Sequence, residues 1–254
     1  MISPSFKSKR YIIGGLISAL MVFGVTVPAI ASSPKATNLI GNNWRVFNIM
    51  PATNSLWDIN QAKSDGGTGV EFPFQPFLST TTGSFAVYLQ TNYNNDLTGK
   101  TISTNVSWTP GSYVTRSGVI GDAYVRIEFQ DVQQGPYTSN DYWFYTGTTG
   151  TGVVDLNGVG SSGTLLTASL TDRTQWTNLC GQSATDTGTY PGTNCVGGTD
   201  PAVSPYDGFT NAMKDVKVVG LAFGRAARYA SGVAVVNSTS STFDMSTFTI
   251  TPSS

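Results

Sequence analysis

Tyr124-Val125-Arg126-Ile127-Glu128-Phe129-Gln130 is the stretch on which the fold is decided. Val125, Ile127 and Phe129 alternate with Tyr124, Arg126, Glu128 and Gln130, so one side of an extended segment is apolar and the other polar. Side chains repeat every two residues along a strand, and this pattern specifies a β-strand that packs on a core by one face. The period recurs upstream. Phe85, Val87 and Leu89 alternate with Ala86, Tyr88 and Gln90, and Ile102, Val106 and Trp108 alternate with Ser103, Asn105 and Ser107. Further out, 44–49, 142–145, 153–156 and 165–170 are strand candidates parted by turn-forming residues. Pro73 cannot donate to a ladder, so 70–74 reads as an edge or irregular strand. Many short strands at this spacing indicate a sandwich or a barrel.

Downstream the pattern changes once. Asp207 is a candidate N-cap, and Phe209, Ala212, Met213 and Val216 recur at helical spacing, which predicts one short helix of about two turns. Segments 216–223, 229–236 and 242–250 then read as closing strands. Phe243 and Met245 have odd parity while Phe248 and Ile250 have even parity. Both pairs reach the core only if a bulge falls near Ser246-Thr247. No internal repeat or linker interrupts the chain, so one sandwich is the economical reading.

The amino terminus reads as an export signal. Residues 1–10 are basic, 11–27 are apolar, and Pro28 precedes Ala29-Ile30-Ala31, a small-x-small site. The expectation is a signal peptide over 1–31 and a single secreted domain over 32–254, located outside the cell, at its surface or in a periplasm. A retained anchor is the alternative reading of the same run. No second long apolar segment follows, so no membrane association is expected after cleavage. Cys180 and Cys195 lie in one stretch, NLCGQSATDTGTYPGTNC, and an even count at close spacing in an exported chain implies a disulfide. Closing such a loop contributes about 3 kcal/mol in the chain-entropy model.

Charge and residue types exclude several functions. Fourteen Lys and Arg face fifteen Asp and Glu, and removal of 1–31 would leave eleven positives against fifteen negatives, a net charge of −4. That balance argues against a nucleic-acid partner or an anionic membrane surface. The chain has no His, which removes His-based nucleophile triads and His-ligated metals. No Gly-rich phosphate loop is present. Carboxylate chemistry stays open, but the segment after residue 31 has only two Glu, Glu71 and Glu128. The closest pair, Glu128 and Asp131, is three residues apart and falls on opposite faces of a regular strand.

The carboxy-terminal third, DGFTNAMKDVKVVGLAFG (207–224), YASGVAVV (229–236) and STFDMSTFTI (241–250), resembles the end of galactose-binding-like jelly-roll domains. These include carbohydrate-binding modules of secreted glycoside hydrolases. The resemblance implies an all-β, two-sheet antiparallel jelly-roll sandwich with one short helix. Its expected partner is a polysaccharide or cell-surface glycan, with no cofactor required. Such domains often carry structural calcium, for which Asp58, Asp65 and Asp244 are the candidate ligands.

Ligand-binding candidates follow from side-chain chemistry. Planar Arg, Glu and Gln groups hydrogen-bond vicinal hydroxyls, and aromatic rings stack on the apolar C–H face of a sugar. Tyr124, Arg126, Glu128 and Gln130 share one face, with Tyr88 and Gln90 as neighbours if that segment joins the same sheet. The plainer reading is an outer face on which Arg126 and Glu128 pair. Tyr142 and Trp143 are candidate platforms in an aromatic cluster that also holds Tyr137 and Tyr145. Alternation sends one of the pairs Tyr142/Phe144 and Trp143/Tyr145 into the core, and Trp108 and Trp176 read as packing residues. Three functions remain: glycan binding, a self-associating structural protein of a matrix or surface layer, and a carboxylate-dependent polysaccharide-degrading enzyme.

Overall fold

Strand β9 (Tyr124–Gln130) lies inside a sheet and is buried on both faces, rather than on the apolar face alone. The computed structural model describes residues 36–53, 55–58, 62–64, 69–132, 138–147, 151–158, 163–189, 203–227, 229–236 and 241–253. All belong to one compact unit, Pro34–Ser254. The segment 1–31, Asp65, Tyr137 and Cys195 lie outside the described residues. Among the described residues no helix is long and apolar enough to cross a membrane.

In chain order the strands before β9 are β1 (Thr37–Asn38), β2 (Arg45–Met50), β3 (Ser55–Asp58), β4 (Lys63–Ser64), β5 (Val70–Pro73), β6 (Phe85–Asn95), β7 (Lys100–Trp108) and β8 (Ser112–Thr115). After it come β10 (Tyr142–Tyr145), β11 (Val153–Asp155), β12 (Thr164–Ser169), β13 (Trp176–Asn178), helix α1 (Pro205–Lys214), β14 (Val216–Gly224), β15 (Val233–Val236) and β16 (Thr242–Pro252). The smaller sheet has the order β12-β7-β16-β5-β4, with β1 on β16. The larger runs β13-β10-β9-β14-β6-β15-β8, with β11 on β9, β2 on β6 and β3 on β2. All these strand pairs are antiparallel. The architecture is the expected two-sheet antiparallel jelly-roll sandwich with one helix.

Aromatic rings join the sheets. Phe223 on β14 meets Phe72 on β5 edge to face at 5.6 Å and Phe243 on β16 at 5.1 Å. Such pairs add about 0.5–1.5 kcal/mol each beyond their buried area. Trp108 and Trp176 are packing residues, as expected, with their indole nitrogens bonded to the Leu156 and Ser169 carbonyls.

Two bulges set which residues face inward. On β16 the register shifts between Met245 and Thr247, so Phe243, Met245, Phe248 and Ile250 are all buried, as their parity demands. On β6 a second shift corrects the expected alternation. Phe47 pairs with Tyr88 but Asn48 pairs with Ala86, which leaves Val87 as the extra residue. Ala86 and Leu89 consequently join the inter-sheet core, while Val87 and Tyr88 turn to the outer face.

The cap of helix α1 lies three residues before the expected one, Asp207. Ser204 is the N-cap, and its hydroxyl oxygen accepts the Asp207 backbone N–H at 3.1 Å. Pro205 follows, where a missing N–H costs nothing. Phe209 then packs on Trp143 at 4.9 Å and on Phe129 at 5.7 Å, closing one end of the core.

Candidate functional site

The polar residues of β9 face away from the inter-sheet core and lie opposite small residues of β14. Arg126, Glu128 and Gln130 pair in register with Ala222, Gly220 and Val218. On the far side of β14, the same residues pair with Tyr88, Gln90 and Asn92 of β6. Three rows therefore cross three strands. Neighbouring strands are about 4.8 Å apart, so β9 and β6 side chains meet only where the strand between them carries little. Gly220 meets this condition. Over it, Gln90 Nε2 donates to Glu128 Oε1 at 2.8 Å, and Gln130 Nε2 donates to Oε2 at 3.1 Å. A Cβ at position 220 would stand 2.2 Å from the Leu89 carbonyl oxygen.

Glu128 is fully buried. Burial pushes its carboxyl up to about 8, against the two amide hydrogen bonds, which favour the charged form. The charged carboxylate only accepts, so in that form both amides turn their nitrogens to it. The neutral acid, which prevails below about 8, donates its O–H and requires one amide to turn its oxygen inward. Gln90 and Gln130 both line a cleft beside it. This cleft has a volume of about 580 Å³. Arg45 and Phe47 of β2, with Tyr88 and Tyr142, complete much of its wall, and Asn42, Asn43 and Asn92 add amides. Leu56 on β3 is half exposed at its edge. The Arg45 guanidinium lies 5.9 Å from the Phe47 ring centroid. The described lining contains no carboxylate, so the cleft offers rings and hydrogen-bonding groups rather than an acid and base across a bond.

The row read from the sequence is divided by the structure. Tyr88, Gln90, Gln130 and Tyr142 come together in the cleft, with Glu128 beneath them. Arg126 does not join them and does not pair with Glu128. Arg126 is 2% exposed, and its guanidinium lies 4.6 Å from the Tyr229 ring and 5.9 Å from the Tyr124 ring and donates through Nη2 to the Arg225 carbonyl at 3.1 Å. Burial pulls it down to about 10. Trp143 is fully buried beside Phe209, with its indole N–H on the Asn140 carbonyl, and takes no part in the cleft. Tyr142 and Phe144 are the pair on the outer face.

Asp131 lies past the end of β9, half buried. Its carboxyl is pushed up to about 7 by burial and by Asp141. Of the calcium candidates, Asp58 is on β3 in the larger sheet and Asp244 on β16 in the smaller. Among the described residues no three His, Cys, Asp or Glu gather as a metal site.

Arg45 and Phe47 are cleft residues that sequence reasoning missed. They alternate in a recognisable strand, but only the pairing of β2 with β6, which sets Arg45 beside Gln90, brings them to the site.

No family model matches the chain, and no curated protein matches it. Among solved structures it is similar to a xylan-binding module, CBM15, at 13% identity and a TM-score of 0.39, over 87% of this chain and 97% of that one.

Proposed function

We propose that the chain is a secreted glycan-binding domain whose ligand, a polysaccharide or a cell-surface glycan, lies in the 580 Å³ cleft of the larger sheet. One observation carries this reading. Phe47, Tyr88 and Tyr142 stand in the same cleft as Gln90 and Gln130, whose amides are hydrogen-bonded to the buried Glu128 carboxyl. Apolar rings suit the C–H face of a sugar, and amides held by such bonds recognise its hydroxyls at little entropic cost. Binding of this kind requires no cofactor. Retention on insoluble polysaccharides tests it. Tyr142→Ala and Gln90→Ala should each lower affinity by about tenfold or more. Both side chains are buried, so the melting temperature falls as well and retention is measured on protein that remains folded. Unchanged retention in both variants would overturn the assignment.

Export with loss of 1–31 and a Cys180–Cys195 disulfide belong to the same reading. No described cysteine is free. The intact mass of the secreted protein should equal that of a chain starting at Ser32, less two hydrogens. A mass that includes 1–31, or the addition of alkyl groups without reductant, would refute one part or the other.

A further inference from the structure

The outer face of the larger sheet holds a second, larger cleft. Its volume is about 810 Å³, within the range of small-ligand sites, about 300 to 1,000 Å³. It is joined to the first by one apolar cluster. Tyr88 and Tyr142 of that cluster line the first cleft, and Ile49, Leu179, Tyr229 and Ala230, which pack against it, line the second.

The two clefts differ in charge. The described lining of the second contains the guanidinium groups of Arg116 and Arg225, the hydroxyls of Ser117 and Ser231, and no carboxylate. Arg225 forms an ion pair with Asp122, Nε to Oδ2 at 3.3 Å, a contact that lacks hydrogen-bond geometry. Asp122 is further committed to the Ala226 backbone N–H at 3.0 Å. Arg126, behind the Tyr229 ring, adds a third positive charge and makes no ion pair among the described residues. Its Nε has no hydrogen-bond partner. Among the described acids, Asp122 alone is found against Arg225 and Arg126. Guanidinium groups in a concave site whose described lining holds no carboxylate favour an anion, and their planar fork fits a carboxylate with two parallel hydrogen bonds. Tyr229 lines the same place, with its ring in contact with Arg126 and Phe144.

We propose that this cleft is a second subsite, which takes a carboxylate-bearing sugar, a uronate, of the glycan held in the first cleft. The inference rests on the glycan-binding reading and extends it from neutral to acidic polysaccharides. In a chain that would carry a net charge of −4 without 1–31, a local positive site must act at short range, so the preference should be sensitive to salt.

The test measures affinity for polygalacturonate and polyglucuronate, each beside its methyl ester, which keeps the backbone and removes the charge. The wild-type protein should hold at least one acid about tenfold or more tightly than its ester. Arg116→Gln should abolish that difference and leave ester binding unchanged. Raising sodium chloride from roughly 0.05 to 0.5 M should abolish it in the wild type, which keeps the test independent of how the variant folds. Equal affinity for acid and ester, or a preference that survives both Arg116→Gln and high salt, overturns the inference and leaves the first cleft standing. Retention of neither form of either polymer overturns the uronate subsite. Whether the first cleft falls with it is decided by the retention test on other polysaccharides. Acid binding lost in Arg116→Gln but intact in Tyr142→Ala refutes the first cleft and, with it, the inference that one glycan spans both.

Discussion

The outer faces of the two sheets began from the same pattern and ended in different states. On β7 of the smaller sheet, Thr101, Ser103, Asn105 and Ser107 remain partly exposed while Ile102, Val106 and Trp108 are buried. Its neighbours continue the hydroxyl surface: Thr167, Ser103 and Thr249 pair in one row, and Ser169, Thr101 and Thr251 in the next. On β9 of the larger sheet every residue after Tyr124 is buried, on both faces. The difference lies in the neighbours. The outer face of the larger sheet also carries Val87, Tyr88, Tyr142, Phe144 and Ala222, which bury their surface under Phe47, Ile49, Leu179 and Tyr229. Polar side chains of β9 are carried under that cover and must find partners there. Short hydroxyls on the smaller sheet bond to neighbours or water and need no cover. A cleft therefore forms where a polar row and an apolar cluster share one face.

Substitutions can break this comparison, and the largest effect belongs to Gly220. A side chain there meets the Leu89 carbonyl oxygen and Gln90, so Gly220→Val should lower stability by about 3 kcal/mol or more in urea unfolding. A loss below about 1 kcal/mol would mean that β14 can move away from β6 without penalty.

The next effect is a pH dependence. Folding raises the Glu128 carboxyl from 4.5 to about 8, so between these values the folded state holds a proton that the unfolded state has released. Stability from this group is fully present below about 4.5 and is lost as pH rises towards 8. The slope is at most about 1.4 kcal/mol per pH unit. Asp131, raised from 3.8 to about 7, acts in the same direction. Glu128→Gln should flatten the decline of the urea midpoint between pH 5 and 8, and its advantage over the wild type should grow with pH. A wild-type midpoint that rises across this window would contradict the burial of Glu128. Protonation has a second consequence, because the acid O–H must donate and one of Gln90 and Gln130 must turn to accept it. Ligand affinity of the wild type should therefore change across the same window, and that of Glu128→Gln should not.

The smallest effect is expected on the other sheet. Thr249 is partly exposed and donates to the Ser103 carbonyl at 3.3 Å. Thr249→Val should alter stability by no more than about 0.5 kcal/mol and leave glycan retention unchanged. A larger change would show that the hydroxyl face of the smaller sheet is covered by a partner.

Legibility depended on contrast between neighbouring residues. The bulge at Ser246 could be read because polar residues separate Phe243 and Met245 from Phe248 and Ile250, so the change of parity is visible. The bulge at Val87 could not, because 85–89 is apolar or aromatic throughout and a slip of one residue leaves no mark. Tyr142-Trp143-Phe144-Tyr145 presented the same difficulty. Any register places two rings inward, and the contact of Trp143 with Phe209 decides which.

By itself the sequence determined the all-β class, most strand positions, and that Arg126, Glu128 and Gln130 share a face, because these follow from local alternation and turn chemistry. Tertiary structure alone decided that this face is covered, that Gln90 reaches Glu128 across Gly220, and that Gln130 and Arg126 are apportioned to different surroundings. Those contacts join residues 38 and 99 positions apart, as between Gln90 and Glu128 or Arg126 and Arg225. Pairing over such distances is selected by which apolar surfaces are buried together, and no local pattern records that choice.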